Sequence, residues 1–216
     1  LINSVAEFIN VDPDTNDKLK VVFVPNYRIS VAEKMFPATD LSEQISTAGF
    51  EASGTGNMKF ALNGALTIGT MDGANVEMAE EIGEEHMSIF GLRVNEIEQI
   101  RKADSYNAWD IYNENREIRD TLDLVRSGFF NPKEPDLFEP IIHSLLNQGD
   151  RFFVLKDLED YDRARLQANK LYKDRKSWTD KAILNMTRIG KFSSDRTINE
   201  YAQQIWGIEP VPAKLK

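Results

Sequence analysis

The sequence contains no cysteine and only two histidines, His86 and His143, which lie far apart in the chain. Without thiols it can form no disulfide, thiolate nucleophile, cysteine-bound zinc site or iron–sulfur cluster, and this composition is typical of the reducing cytosol. We therefore expect a cytoplasmic protein. Two histidines do not predict a multi-histidine metal site, and a Ser–His–Asp triad would depend on one of them. We interpret both as surface or packing residues.

Long apolar runs and excess positive charge are also missing. No run of about 18 apolar residues predicts a membrane span, and no signal peptide is recognised. Asp and Glu number 35 against 26 Lys and Arg, a formal net charge of −9. Nucleic acid is therefore not expected as the main partner, although a local basic pocket is compatible with this charge. The chain begins at Leu1 inside an amphipathic helical pattern, which leads us to expect a fragment.

Strand and helix patterns alternate up to about residue 103, which is typical of βαβ units on a mostly parallel sheet. Four consecutive apolar residues predict a strand buried on both faces at Val21–Val24. Further strands are expected at Leu41–Ser46, Ala65–Ile68 and Met87–Phe90. Residues 104–216 carry helical spacing instead. We predict an α/β, mostly parallel, doubly wound (Rossmann-like) half-domain over residues 1–103, with a mainly helical C-terminal layer over residues 104–216.

The loop Gly49–Lys59 has the most unusual composition, with Gly54-Thr55-Gly56 at the predicted start of a helix. Ligands of open parallel sheets bind beyond the carboxyl ends of the strands, where such loops lie. Unpaired N–H groups at a helix start attract anions, and glycine lets an anion approach the backbone. Lys59 follows Thr55 by four residues, so its side chain should lean back towards the same anion site.

Two kinds of phosphate ligand are compatible with a glycine loop at the start of a helix. A P-loop requires G-x-x-x-x-G-K-[ST], and Lys59 is followed by Phe60, so that motif is excluded. The other ligand is pyridoxal phosphate, with its phosphate on the glycine turn and Lys59 as the Schiff-base amine. A plain helix cap followed by a solvated lysine is the commoner meaning of such a short pattern, and the residues alone leave both interpretations open.

Glu51–Lys59 (EASGTGNMK) closely resembles the pyridoxal-lysine segment of the glycogen and starch (α-glucan) phosphorylases. The resemblance covers essentially the whole chain, and its other segments are Asn26–Arg28, Asp40–Gly49, Asn63–Glu77 and Lys191–Arg196. It implies a GT-B-type fold and the C-terminal part of the pyridoxal-phosphate-binding domain, about a quarter of such an enzyme, with the N-terminal domain absent.

The resemblance also implies residue roles. Lys59 is similar to the lysine that forms the cofactor imine, and Gly54–Gly56 to the turn that holds the cofactor phosphate. Within that turn, Thr55 is also implied to lie near the catalytic phosphate. Tyr27 and Arg28 are similar to residues of the cofactor pocket.

For the substrate, the resemblance implies that Glu51, Ser53 and Gly54 bind hydroxyls of the glucosyl unit. The implied reaction is phosphorolysis of α-1,4-glucan ends by orthophosphate to glucose 1-phosphate with retention, with the cofactor phosphate as proton shuttle. The family's basic stretch for substrate phosphate and its active-site histidine have no counterpart here. We therefore expect this chain alone to be inactive, and the intact enzyme to combine it with an N-terminal remainder and to form a homodimer.

Two other functions stay open. A nucleotide-sugar glycosyltransferase of the same fold would need no pyridoxal phosphate and would not depend on Lys59. A non-catalytic interaction fragment would bind no pyridoxal phosphate and would associate strongly with the N-terminal part of the protein. Asp72 and Asn75 are interpreted as a turn and a helix N-cap rather than as cavity-lining residues. Three tryptophans on apolar helical faces are predicted to be core residues: Trp109, Trp178 and Trp206.

Overall fold

The computed structural model describes residues 1–209 and residue 211. They form two compact units, each made of two stretches of chain. Unit 1 comprises Leu1–Glu33 and Gly91–Asp162, and unit 2 comprises Lys34–Phe90 and Arg163–Lys216. None of the helices described is both long and apolar enough to cross a membrane.

Eleven α-helices are described, and we number them in chain order. They are α1 (Ile2–Ile9), α2 (Ile29–Met35), α3 (Gly56–Leu62), α4 (Ala74–Ile82), α5 (Val94–Ala103), α6 (Ala108–Glu114), α7 (Arg116–Arg126), α8 (Glu139–Ile142), α9 (Val154–Lys173), α10 (Arg175–Arg188) and α11 (Ser194–Tyr201). The regular elements described after residue 103 are all helical.

Unit 2 contains a parallel three-stranded sheet in the order β1-β2-β3. The strands are β1 (Leu41–Gln44), β2 (Leu66–Gly69) and β3 (Ser88–Ile89), at the three sites predicted after residue 40. All four residues of the central β2 are buried, as expected for a strand with a neighbour at each edge and cover on both faces. The prediction of an α/β fold with parallel strands is confirmed at this level.

The core of unit 2 lies where α3 and α4 meet the chain that follows α10. Ala61, Met78, Ile82 and Ile189 are completely buried there and contact one another in one apolar cluster. Helix α3 follows the glycine loop and carries Lys59. This packing therefore holds in place the helix of the predicted cofactor lysine.

Unit 1 has a separate helical core. It brings together α6, α7, α8 and the start of α9, with Ile118, Leu122, Ile142 and Leu155 among its buried members. The Asn115 side chain caps α7 by accepting hydrogen bonds from the N–H groups of Glu117 and Ile118.

The predicted strand at Val21–Val24 is wrong. Val22 is 72% exposed and Phe23 59% exposed, and the segment is not part of the described sheet. A strand needs a partner backbone along its edge, and at Val21 the side chain of Asn10 takes that place. Its Nδ2 donates to the Val21 carbonyl at 2.8 Å, and its Oδ1 accepts from the Val21 N–H at 2.9 Å.

The predictions for the tryptophans are confirmed in one case of three. Trp178 is buried and packs edge-to-face on Tyr172, with ring centroids 4.9 Å apart. Trp109 and Trp206 are exposed. Both of the latter pack edge-on against a tyrosine of the same helical segment, so they form local surface pairs instead of entering a core.

Candidate functional site

A polar cavity of about 110 Å³ opens in unit 2 beyond the carboxyl ends of β1 and β2. This is where parallel sheets place their ligands, because the strand-to-helix loops converge at that edge. The cavity is lined by nine residues: Gln44, Ser46, Glu51, Ser53, Gly54, Asn57, Thr70, Asp72 and Asn75.

Asp72 anchors the loop that forms one wall of the cavity. Its side chain is only 7% exposed; Oδ1 accepts from the N–H of Gly49 at 2.8 Å and Oδ2 from the N–H of Glu51 at 2.8 Å. Asp72 does begin the predicted turn, because Asn75 N–H donates to its carbonyl at 3.1 Å, but it also lines the cavity, so the preference against a cavity-lining role is wrong. A carboxylate can accept two backbone hydrogen bonds at once, which a turn alone does not require.

Asn75 joins the two helices that border the cavity. It is 3% exposed; its Oδ1 accepts from Asn57 Nδ2 at 3.0 Å, and its Nδ2 donates to the carbonyl of Thr70 at 3.0 Å. The prediction that Asn75 caps α4 is wrong, because Gly73 occupies the N-cap position. Asn75 is the second residue of α4, and its side-chain amide bonds to Asn57 and Thr70 instead of capping the helix.

Two glycines permit the close backbone approaches around the cavity. Ala74 N–H donates to the carbonyl of Ser53 at 2.7 Å, and a Cβ on Gly73, whose φ is +50°, would lie 2.4 Å from that carbonyl oxygen. A Cβ on Gly69 would lie 2.7 Å from both the Gln44 carbonyl and Asn75 Nδ2. Side chains at these positions would separate the elements that form the cavity.

The three residues predicted to bind the glucosyl unit, Glu51, Ser53 and Gly54, all line this cavity. The structure therefore brings them together around one polar space. Their role as sugar ligands stays a prediction. The same sequence reasoning missed Asn57, and the available signal was its position directly after the Gly54–Gly56 turn, at the start of α3.

The glycine turn itself offers several unpaired donors. Thr55 is the N-cap of α3, and its side chain makes no capping hydrogen bond. The N–H groups of Gly54, Thr55 and Gly56 have no acceptor among the residues that the structure describes. Successive unpaired backbone amides at a helix start can bind an anion.

Lys59 lies on the exposed side of α3 and does not line the cavity. Its Nζ is 6.0 Å from the centroid of the Phe36 ring, which packs edge-to-face on Phe60 with centroids 4.6 Å apart. Within residues 1–209 and 211, the amine makes no hydrogen bond or ion pair, so the expected contact with the glycine turn is not seen. The amine is chemically available, and its role stays a prediction.

Tyr27 and Arg28 belong to unit 1, whereas the glycine loop belongs to unit 2. Tyr27 is exposed. Arg28 Nε donates to the hydroxyl of Ser30 at 3.1 Å, just inside the first turn of α2. Their role in a cofactor pocket stays a prediction. Across the described part of the chain, no group of three or more His, Asp or Glu side chains is arranged to hold a metal ion.

Comparisons with known proteins cover nearly the whole sequence. The chain matches the family model of the carbohydrate phosphorylases over residues 1–208. It is 60% identical over 208 residues to a glycogen phosphorylase of Chlamydia pneumoniae, which covers 96% of this chain and 25% of that protein. It is 57% identical over 210 residues to the brain form from Ovis aries, covering 97% of this chain and 25% of that protein.

The muscle form of glycogen phosphorylase from Bos taurus is 54% identical over 215 residues, covering 100% of this chain and 25% of that protein. The chain thus spans about a quarter of the length of these relatives. A family match over residues 1–208 includes the cavity, the glycine turn and Lys59. The chain belongs to the carbohydrate phosphorylase family.

Proposed function

We propose that this chain is part of an α-1,4-glucan phosphorylase, a glycosyltransferase that releases glucose 1-phosphate from glycogen or maltodextrin ends with orthophosphate. The observation that carries the proposal is the arrangement of Glu51–Lys59 in unit 2. Glu51, Ser53 and Gly54 of this segment line a polar cavity, and the amides of Gly54–Gly56 and the amine of Lys59 have no hydrogen-bond partner within the described part of the chain. The relatives named glycogen phosphorylase, at 54–60% identity, support the same function.

The residues around the cavity have the chemistry that sugar binding requires. The Glu51 carboxylate can accept from two hydroxyl groups, and the unpaired N–H of Gly54 can donate to a third. The Ser53 hydroxyl can do both. Small-molecule sites typically place a few such polar groups in one concave surface, which fixes the orientation of the ligand.

The residues beside the cavity fit pyridoxal phosphate. A primary amine without a polar partner, at Lys59, is the group that forms an imine with an aldehyde. The unpaired N–H groups of Thr55 and Gly56 suit a phosphate, and a Cβ on Gly56 would meet nothing within 4 Å, so an anion has room to approach. When bound, the cofactor supplies a phosphate whose second pKa of about 6 suits proton exchange at neutral pH.

The proposal includes residues and partners beyond unit 2. We assign Tyr27 and Arg28 to the cofactor pocket, as in the resembling family. The chain spans 25% of its relatives, so we place the basic residues for substrate phosphate in the N-terminal remainder of a GT-B-type, cytoplasmic, homodimeric enzyme. We accordingly expect no phosphorolysis by the 216-residue chain alone.

The test uses the intact protein that carries this sequence. We expect it to form glucose 1-phosphate from maltoheptaose and orthophosphate, and the Lys59→Ala variant to fall to background. Lys102→Ala removes an equally exposed helical lysine and should keep full activity. An active Lys59→Ala variant would favour a glycosyltransferase without pyridoxal phosphate. An inactive wild-type protein that binds no pyridoxal phosphate would favour a non-catalytic interaction fragment.

A further inference from the structure

The loop that carries the proposed sugar ligands has a glycine with a positive φ angle at each end. Gly49 and Gly54 have φ angles of +87° and +81°, conformations that glycine adopts without strain. Glu51, Ala52 and Ser53 between them are exposed. Such a loop holds its ligands in one geometry only if other parts of the protein fix its backbone, and the lost mobility otherwise lowers affinity.

Asp72 supplies this fixation from the sheet. It follows β2, whose backbone is paired with β1 and β3, and its carboxylate accepts from Gly49 N–H and Glu51 N–H at 2.8 Å each. Hydrogen bonds to an ionised acceptor are about twice as strong as neutral ones. The two bonds therefore set the position of the first half of the loop relative to the central strand of the sheet.

The second half of the loop is fixed from α4. The carbonyl of Ser53 accepts from Ala74 N–H at 2.7 Å, and Asn57, at the start of α3, donates to Asn75 at 3.0 Å. Residues 72–75 thus hold the loop at its first half and just beyond Ser53. Asp72 is the charged member of this set, and it contacts the backbone of the proposed sugar ligand Glu51 directly.

We infer that Asp72 is a positioning residue for glucosyl binding, acting by holding the backbone of Gly49 and Glu51. The inference rests on the proposed function, since it assigns a role in the site that phosphorolysis would use. Asp72 is not a catalytic residue here, because its two oxygens are engaged by backbone amides. Its two bonds determine where Glu51 meets the sugar.

The Asp72→Asn variant isolates this role. The amide keeps the shape of the side chain and one acceptor oxygen, but its –NH2 group faces one of the two backbone N–H groups. In the intact protein we expect the dissociation constant for glucose 1-phosphate to rise about tenfold or more, from the loss of one charge-assisted hydrogen bond. Pyridoxal content should stay at the wild-type level, because Asp72 contacts neither Lys59 nor the glycine turn.

Asp180→Asn is the matched control, because it removes the same charge from an exposed i,i+4 pair with Lys176 in the same unit. It should leave glucose 1-phosphate binding unchanged. A dissociation constant for Asp72→Asn within twofold of wild type would overturn the inference. So would a parallel loss of pyridoxal, since the effect would then not be selective for the sugar.

A measurement on the wild-type protein covers the case in which Asp72→Asn fails to fold. Amide hydrogen exchange at Gly49 and Glu51 should be at least tenfold slower than at Ala52, whose N–H has no partner among the described residues. Equal exchange at the three amides would show that Asp72 does not hold the loop. Absence of phosphorolysis in the wild-type protein would refute the proposed function, while the exchange result still decides the anchoring.

Discussion

The two halves of the segment Gly49–Lys59 are built differently. In the first half, the backbone around the cavity is bound by the Asp72 carboxylate at Gly49 and Glu51 and by Ala74 N–H at Ser53. In the second half, the amides of Gly54–Gly56 and the amine of Lys59 have no polar partner among the residues described. The loop that carries the proposed sugar ligands is thus held by the chain's own residues, whereas the donors proposed for the cofactor have no partner among the residues described.

This difference predicts that an added methyl group is costly at Gly73, whose backbone lies against Ser53 of the first half, and nearly neutral at Gly56 in the second half. Gly73→Ala should cost about 2–5 kcal/mol of unfolding free energy, because the new Cβ lies 2.4 Å from the Ser53 carbonyl at a φ of +50°. Gly56→Ala meets nothing within 4 Å and should change stability by less than about 1 kcal/mol. Urea unfolding of the two variants measures both values. Equal costs would remove the contrast between the halves.

A second pair of variants compares Asn75, whose side-chain amide is hydrogen-bonded, with Asn185, whose side-chain amide has no described partner. Asn75→Leu leaves Asn57 Nδ2 and the Thr70 carbonyl unpaired and should cost about 2–3 kcal/mol. Asn185 in α10 is 0% exposed, and neither of its side-chain polar atoms has a described partner. Asn185→Leu should therefore range from no change to a gain of about 1 kcal/mol. Thermal unfolding compares the two, and a loss above about 2 kcal/mol for Asn185→Leu would contradict the expectation.

Unit 1 contains a second buried carboxylate that accepts from a backbone N–H, and its effect on the stability of the fold is expected to depend on pH. Asp157 Oδ1 accepts from Leu92 N–H at 2.9 Å. Burial raises the pKa of Asp157 above its usual range, the acidic neighbours Asp160, Asp150 and Glu96 add to this, and the Leu92 bond opposes it. A carboxyl group with a raised pKa in the folded state stabilises the fold most below its unfolded pKa, and this contribution is lost as pH rises through the folded value.

We therefore expect Asp157→Asn, which keeps an acceptor for Leu92, to gain stability relative to wild type as pH rises above the usual aspartate pKa of about 4. This is the smallest of the predicted effects. Urea unfolding of both proteins at increasing pH above this value measures it. A difference that stays constant with pH, or that moves towards wild type as pH rises, would refute the prediction.

The sequence was most informative where local rules and long-range contacts agree. The three strands from β1 to β3 and the helix carrying Lys59 follow from apolar patterns and the glycine loop, and the structure has them. Val21–Val24 has the same kind of pattern without a strand neighbour in the described residues, so composition alone gave the wrong element. An apolar run indicates that a segment can be buried, but it does not indicate which backbone will pair with that segment.

The candidate site was predictable in its ligand-bearing loop but not in its supports. Gly54 and Lys59 stand out through glycine chemistry and spacing. Asp72 and Asn75 do not, because each residue type is also common in turns and caps. Their roles depend on which loop folds onto them, a contact across 21–23 residues for Asp72 that no local pattern encodes.

We propose above all that Lys59 is the cofactor lysine of a phosphorylase and that it follows the sugar-binding residues Glu51–Gly54 in the same segment. Borohydride reduction of the intact protein, followed by peptide mapping, tests it most directly. The account predicts a pyridoxyl group on Lys59, in the peptide that contains Gly54–Gly56, and none on the control Lys102. A pyridoxyl group confined to other lysines, or its complete absence from an active enzyme, would contradict it.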